Sequence, residues 1–336
     1  MLLSFVRVSH SSMSIIVRTL AVLFVGLVLA PGIGIAQEAY PAKPIRLIVP
    51  FPPGAGTDNV ARLIGHKMAD RLKTPVVIEN RTGAGGAIGA IEAAKSEPDG
   101  YTLLFVAAPF TTVAVSQKNP GYDPQRQFVP VAPIAVGPLA FVVNASVPVD
   151  TLREFIALAR REPGKLNYGS AGTGSINHLA LELMRARTGA DIVHVPYRGI
   201  AEATKDVLGG RIHAMTASIP ATLPLVAERR VKVLAVTGAK RVTQLPDVPT
   251  WQEEGVSDAD VTNYWGIVAP IGTSAEVVAR VNGAVKTVLG ELDVRERLER
   301  EGAEVVSGTP DQLGFIIAHD LARWRKLVAD IGMALQ

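Results

Sequence analysis

The sequence contains no cysteine, and only 5% of its 336 residues are Phe, Trp or Tyr. Without cysteine the chain has no disulfide, no thiolate nucleophile, no iron–sulfur cluster and no Cys-based zinc site. The six histidines show no H-E-x-x-H motif and no other close ligand spacing, so we expect neither a metal ion nor a cofactor. A net charge of only +3 with few aromatic rings argues against a nucleic-acid-binding protein.

One apolar run stands out near the amino terminus, residues 20–30 (LAVLFVGLVLA). It follows Arg7 and Arg18 and precedes a small-x-small pattern at residues 34–36. These features predict a cleaved signal peptide, residues 1–36, and therefore an exported protein of the periplasm. A retained membrane anchor is the alternative, but the run is shorter than the ~20 residues of a span. Cleavage would remove both arginines and lower the formal net charge from +3 to +1.

Beyond this segment, short β-rich runs alternate with segments of helical periodicity. Residues 45–49, 76–79 and 102–107 have strand patterns, and apolar residues recur at helical spacing over 57–72. Strands separated by helices predict an α/β fold with a doubly wound, mostly parallel sheet. The alternation restarts near residue 139, so we expect two such units.

The part after residue 264 is mostly helical and has too little strand pattern for a sheet of its own. The simplest arrangement returns it to the first sheet, which makes the second half an insertion. We therefore predict a discontinuous first lobe, residues 37–142 and 264–336, and a second lobe, residues 143–263. Two crossover strands, near residues 141–144 and 264–267, would form a hinge.

A glycine-rich loop, residues 50–58 (PFPPGAGTD), follows the first predicted strand. Ligands of open α/β sheets bind at the carboxyl ends of strands, where this loop lies. Gly54 lets backbone N–H groups approach a ligand, and Thr57 or Asp58 can cap a helix whose N-terminus favours an anion. An ordinary βα turn is the alternative. The length of the loop and its aromatic Phe51 favour a ligand site.

A second glycine-rich loop, residues 81–89 (RTGAGGAIG), lacks a nucleotide signature. Counted from Gly83, the G-x-G-x-x-G pattern requires glycine where Ile88 stands, and the chain has no G-x-x-x-x-G-K-[ST]. The sequence therefore gives nucleotide binding little support.

The second half contains a third such loop, residues 168–175 (YGSAGTGS), which leads into a helix carrying His178. Hydroxyls, flexible amides and a helix N-terminus suit an anion. A secreted serine hydrolase using Ser170 or Ser175 with His178 is the alternative function. The G-x-S-x-G pattern of a nucleophile elbow is absent, however, and Glu182 can pair with His178 in a structural role. Binding without catalysis is therefore favoured.

Residues 195–199 (VPYRG) leave another predicted strand at what we expect to be the same sheet edge. Tyr197 can wall an apolar cavity, and Arg198 can add positive potential for a carboxylate. A solvated surface charge is the alternative for Arg198. His194 and His213 lie in strand patterns and are predicted to be structural. Together the loops predict a cleft between the lobes for a molecule with a carboxylate at one or both ends.

Several stretches, in order along the chain, match the motifs of one known family. They include residues 40–58 (YPAKPIRLIVPFPPGAGTD), 76–90 (VVIENRTGAGGAIGA), 166–183 (LNYGSAGTGSINHLALEL) and 263–282 (NYWGIVAPIGTSAEVVARVN). Over essentially its whole mature length, the chain resembles the substrate-binding proteins of tripartite tricarboxylate transporters, the TctC or Bug (Bordetella uptake gene) family.

The resemblance implies a monomeric, type II-like, two-lobed periplasmic binding protein that closes around its ligand and catalyses nothing. Its partners would be a small carboxylate and integral membrane transporter subunits, or a sensor kinase, and no nucleic acid.

The resemblance also implies which residues form the binding pocket. Those of the first lobe are Phe51, Gly54, Thr57, Asp58, Gly85, Gly86, Ala107 and Ala108. Those of the second lobe are Ser170, Ala171, Thr173, His178, Tyr197 and Arg198. One position departs from the family, because many relatives carry a ligand-facing acidic residue where this chain has Ala217. We therefore expect a simple dicarboxylate, or an aromatic or hydroxylated acid, rather than an amino acid.

Overall fold

The computed structural model describes residues 40–335, and the predicted signal peptide, residues 1–36, lies outside the described residues. Within the described range, no helix combines the length and the apolar character needed to cross a membrane.

The first sheet begins with three parallel strands, each followed by a helix. The strands are β1 (Ile45–Val49), β2 (Val76–Asn80) and β3 (Thr102–Ala107). The helices are α1 (Gly56–Leu72), α2 (Ala87–Ala94) and α3 (Pro109–Ser116), with a 3-10 turn, Ala84–Gly86, before α2. β1 pairs with both other strands. In α1, Val60, Ile64 and Met68 recur at helical spacing and are buried in the core of this sheet.

The second sheet repeats this arrangement and is joined to the first by one long strand. Its strands are the second half of β4 (Phe128–Asn144), β5 (Leu166–Ser170), β6 (Ile192–Pro196), β7 (Ala214–Ser218) and β8 (Val231–Val236). Its helices are α4 (Leu152–Arg161), α5 (Ile176–Thr188), α6 (Ile200–Leu208) and α7 (Ile219–Ala227). β5 lies parallel between β6 and β7, while β4 runs antiparallel to β7 and β8.

The C-terminal segment packs on the first sheet. Its elements are β9 (Thr262–Pro270), α8 (Ala275–Leu289), α9 (Leu292–Arg300), β10 (Glu304–Val305) and α10 (Pro310–Asp330). β9 pairs antiparallel with β3 and with the first half of β4, and β10 also pairs with β4. Helix α8 packs against α1 and β4, and α10 packs against α3 and β4.

The α/β fold predicted from the alternating pattern is confirmed, and each sheet is mixed because β4 and β9 run antiparallel to their neighbours. Three elements were not predicted, namely α3, α7 and the first half of β4. Each contains proline, which usually ends regular structure. Both helices accept a proline in their first turn, where no N–H is needed. In β4 the register shifts beside Pro130 and Pro133.

The crossing between the sheets lies earlier in β4 than the strand pattern suggested. Pro138 still pairs with Thr262 of β9, whereas Leu139 pairs with Ser218 of β7. The partner changes here, before residues 141–144, because Pro138 has no N–H with which to extend the first ladder.

Candidate functional site

The carboxyl ends of the parallel strands in the two sheets point towards each other along β4. β3 runs in the same direction as β4, since both are antiparallel to β9. Ala107, the last residue of β3, and Ala135 of β4 both pair with Trp265 of β9, so they lie at the same level of the sheet. β7 runs the opposite way, and Ser218 at its end aligns with Leu139. The step from Ala135 to Leu139 corresponds to roughly 13 Å along the strand at ~3.3 Å per residue. A gap between two sheet edges therefore lies at the crossover.

The helices that begin at these edges mostly lack side-chain caps. α1, α2, α3, α6 and α7 have none, and only α5 is capped, by Ser175. Helices α4, α8 and α10 begin elsewhere and are capped by Thr151, Ser274 and Thr309, although α9 is also uncapped. Free N–H groups and the positive ends of helix dipoles both favour an anion. The two edges thus form a region suited to negative charge.

The loop after β1 is held in shape by the buried carboxylate of Asp58. One oxygen accepts hydrogen bonds from the N–H of Gly54 and from Nε of Arg62, both at 2.8 Å, and the other accepts one from Nδ2 of Asn80 at 2.7 Å. Nδ2 of Asn80 also donates to the carbonyl of Phe51 at 2.9 Å. Burial opposes ionisation, but the bonds from Arg62, Asn80 and Gly54 outweigh it and lower the pKa of Asp58. Asp58 therefore organises the loop from beneath.

Thr57 is tied to the crossover strand β9. Nε1 of Trp265 donates to Oγ1 of Thr57 at 3.2 Å, and the Trp265 side chain belongs to the core beneath α1. The hydroxyl hydrogen of Thr57 remains free to donate, because a hydroxyl both donates and accepts. The first turn of α1 is therefore anchored to a strand that borders the gap.

The three loops of the first sheet meet around one small cavity. Its volume is about 10 Å³, room for at most one water molecule, and its lining includes Phe51, Gly85, Gly86 and Ala107. Four of the predicted site residues therefore lie around one cavity. The N–H of Ala108 donates to Oδ1 of Asn263 on β9 at 3.0 Å, so this donor is already occupied.

In the second sheet, Ser170 is fully buried at the end of β5. Its Oγ lies 2.7 Å from Nε2 of His194 on β6, accepts from the N–H of Gly172 at 3.0 Å and contacts the Gly172 carbonyl at 3.1 Å. Burial and the nearby His178 ring lower the pKa of His194 to about 4, so that its imidazole is neutral at pH 7. Ser170 and His194 together shape the turn that follows β5.

His178 lies in a buried cluster behind this turn. Its Nδ1 accepts from the N–H of Gly174 at 3.1 Å, and its ring stacks on His194 with centroids 4.0 Å apart. Burial lowers its pKa, which the nearby Glu182 opposes and Arg185 reinforces. Glu182 accepts from Arg185 at 2.7 Å and lies 3.9 Å from Nε2 of His178, too far for a hydrogen bond. An unprotonated Nδ1 is therefore part of what holds the turn.

The Ser–His contacts that a hydrolase would use are not formed with His178. Oγ of Ser175 donates to the Gly172 carbonyl at 2.7 Å and accepts the backbone N–H of His178, which makes Ser175 a helix cap. Ser170 bonds to His194 and is buried away from solvent. Ala171 and Thr173, which lie in the same turn, are half-buried.

The remaining predicted residues of the second lobe differ in side-chain exposure and in their hydrogen-bond partners. The hydroxyl of Tyr197 donates to Asp206 at 2.7 Å, and burial together with this bond raises the pKa of Tyr197 to about 12. Arg198 is exposed beside it, and its backbone N–H faces Glu202. Ala217 is buried in β7, where it pairs with Ala140 of β4.

Within residues 40–335, no group of three His, Asp or Glu residues is close enough to hold a metal ion. The polar groups at the two edges include backbone amides, hydroxyls and the exposed guanidinium of Arg198.

Comparison with known proteins identifies the family to which this arrangement belongs. The sequence pattern of the tripartite tricarboxylate transporter family receptor, TctC, matches residues 60–333. The chain belongs to this family. BugT of Bordetella pertussis is 36% identical over 304 residues, which cover 90% of this chain and 93% of BugT. A protein encoded in the tcbD-tcbE intergenic region of Pseudomonas sp. strain P51 is 36% identical over 294 residues, covering 87% and 88% of the two chains.

Solved structures of related receptors share the fold over nearly their whole length. The periplasmic binding protein BugD is 33% identical, with a TM-score of 0.76, and the match covers 88% of this chain and 100% of BugD. Rpa4515 of R. palustris, solved with adipate, is 35% identical with a TM-score of 0.78, covering 88% and 99%. MatC of Rhodopseudomonas palustris, solved with malate, is 32% identical with a TM-score of 0.75, covering 86% and 100%. The two-lobed periplasmic binding protein fold predicted from the sequence is confirmed.

Four residues with a role in shaping this receptor's edges were not among the predicted site residues. They are Asn80, His194, Asn263 and Trp265. Asn80 could have been predicted as a site residue, because it is a polar residue at the carboxyl end of β2. Asn263 and Trp265 contact Ala108 and Thr57, which lie more than 150 positions earlier in the sequence, and no local pattern signals such contacts.

Proposed function

We propose that this TctC-family receptor captures a small carboxylic acid in the gap between its two lobes. The ligand class is a dicarboxylate, or an aromatic or hydroxy acid, and the receptor delivers it to the integral membrane subunits of a tripartite tricarboxylate-type transporter or to a sensor kinase. The supporting observation is the set of uncapped helix N-termini at the two facing sheet edges. These donors suit carboxylate oxygens, because they supply hydrogen bonds and positive potential without adding net charge.

The lobe division that we propose follows the strand pairing. The first lobe comprises the residues before the Pro138–Leu139 step and those from Thr262 onwards, and the second lobe lies between them. β4 and the segment leading into β9 are the two connections, and closure would bend them. Closing the gap removes water from the ligand and strengthens each hydrogen bond to it.

The predicted pocket residues have two roles in this proposal. Thr57, Gly85, Gly86, Thr173 and Arg198 contact the ligand through amides, hydroxyls or charge. The side chains of Asp58, Ser170, His178 and Tyr197 hold the loops in position, because each already has partners within the protein. Phe51, Gly54, Ala107, Ala108, Ala171 and Ala217 form the surrounding walls.

Export and lack of catalysis complete the proposal. The amino-terminal pattern of residues 1–36 supports a cleaved signal peptide and a periplasmic location. Two related structures were solved with adipate and with malate, which supports carboxylate capture without turnover. We expect a monomer.

A thermal-denaturation screen tests the proposed function. Purified protein lacking residues 1–36 is heated with succinate, adipate, malate, phenylacetate, mandelate and the uncharged amide of each. A ligand at ~100 times its dissociation constant adds about 2.7 kcal/mol to the free energy of unfolding. We expect at least one acid, and none of the amides, to raise Tm by several degrees. Stabilisation by amides and acids alike, or by none of the acids, would refute carboxylate capture.

A further inference from the structure

The turn that ends α9, residues 299–303, lies between the elements that we assign to the two lobes. The N–H of Gly302 donates to the Glu299 carbonyl at 2.8 Å, and the N–H of Ala303 donates to the Leu298 carbonyl at 3.0 Å. Gly302 has a φ of +68°, which glycine adopts without strain. The turn is therefore fixed by its own backbone.

Both sheet edges lie against this turn. A Cβ on Gly302 would lie 2.9 Å from Cβ of Ile219, the first residue of α7 in the second lobe. On the other side, Oε2 of Glu301 lies 3.8 Å from where a Cβ on Gly56 would be, at the start of α1 in the first lobe. The carboxylate of Glu301 thus lies beside the uncapped first turn of α1. The next residue, Gly302, contacts the start of α7 at the edge of the second sheet.

This carboxylate is poorly matched by protein partners. Its side chain is 22% exposed, and its ion pair with Arg297 is loose, at 3.8 Å. Among residues 40–335, the loose contact with Arg297 is the one ion pair of the Glu301 carboxylate, and no hydrogen bond is formed to its oxygens. Carboxylate oxygens that receive no hydrogen bond from the protein take their donors from water or from a bound molecule.

We infer that Glu301 determines ligand specificity by accepting a hydrogen bond from a ligand hydroxyl group. This inference rests on the proposed function and narrows it to hydroxy acids. Ala217 offers no acceptor to such a hydroxyl, and Glu301 supplies one from a different element. The same negative charge repels a second ligand carboxylate placed at this position. The ligand carboxylate occupies the amides of the loops, and its hydroxyl faces Glu301.

Matched pairs of acids that differ by one hydroxyl group test this inference. The pairs are malate with succinate and mandelate with phenylacetate, and the readout is Kd by titration calorimetry. The proteins are wild type, Glu301→Gln and, as a charge-matched control, Glu296→Gln, since Glu296 is exposed on α9, the helix that Glu301 follows. We expect Glu301→Gln to raise the Kd of a hydroxy acid by roughly tenfold or more, the usual effect of losing a charge-assisted hydrogen bond. The plain acid should bind equally well or more tightly.

The control should leave both constants unchanged. A Glu301→Gln protein that binds both members of each pair with wild-type ratios overturns the inference and leaves the proposed function standing. A lower Tm with unchanged ratios would mean that Glu301 only stabilises the start of α1, and would overturn it equally. If no acid binds to the wild type, the proposed function fails and this inference fails with it.

Discussion

Replacing Asp58 by alanine tests whether this carboxylate builds the loop at the candidate site. The change removes three hydrogen bonds, from Gly54, Arg62 and Asn80. Each bond to a charged group contributes about 1.5–3 kcal/mol. Arg62 is 41% exposed and Gly54 lies at the surface, so water replaces part of this loss. We expect the free energy of unfolding to fall by about 2–4 kcal/mol.

Urea denaturation at pH 7 measures this change, with Asp70→Ala as the control, because Asp70 is exposed on the same helix. The control should remain within about 0.5 kcal/mol of the wild type. Binding of the best acid from the thermal screen should weaken at least tenfold in Asp58→Ala at temperatures where it is folded, since the loop amides lose their positions. Wild-type stability and affinity in this variant would refute the reasoning.

The contribution of Asp58 to stability should also depend on pH, which a comparison with Asp58→Asn can measure. Because the pKa of Asp58 is lowered in the folded protein, its stabilising effect is complete above the ordinary pKa of about 3.9 and is lost as the pH falls through the folded value. The stability difference between wild type and Asp58→Asn should therefore shrink in strong acid. A difference that stays constant down to the lowest measurable pH would contradict this assignment.

Three further predictions concern the contacts around the gap. Trp265→Phe removes the bond to Thr57 and should cost about 1 kcal/mol in urea denaturation and several-fold in acid affinity; unchanged affinity would contradict the anchoring role. In Gly174→Ala, the new Cβ would overlap Oγ of Ser116 at a φ of +78°, so Tm should fall, and Ser116→Gly should restore part of it. For His194, the pKa in the folded protein is about 4, below the ordinary value of 6.5. Between these two pH values the unfolded chain binds more protons than the folded protein, so the stability falls as the pH drops from 6.5 to about 4. The free energy of unfolding should fall by at most about 3 kcal/mol, or about 1–2 kcal/mol once solvent screening is included. A His194→Gln protein whose stability falls equally steeply with pH would refute this assignment.

Most of the fold was predictable because local patterns carry the information. The strand–helix alternation from β1 to β3 and from β5 to β7 follows from apolar periodicity and from the glycine-rich loops between elements. The exceptions, α3, α7 and the first half of β4, contain prolines whose tolerance depends on position within the element. Single-residue patterns could not reveal these positions in advance.

The sequence by itself determined the family, the α/β class and the positions of the glycine-rich loops between strands and helices, because strand ends, glycines and helix starts are local features. Only the tertiary structure decided which side chains in those loops are free. Asp58, Ser170 and Tyr197 have partners on Asn80, His194 and Asp206, brought near by strand pairing and packing. The tertiary structure also brings Glu301, from the C-terminal part of the chain, beside Gly56. Such contacts depend on the register of neighbouring strands and the packing of distant helices, and no short window of sequence contains them.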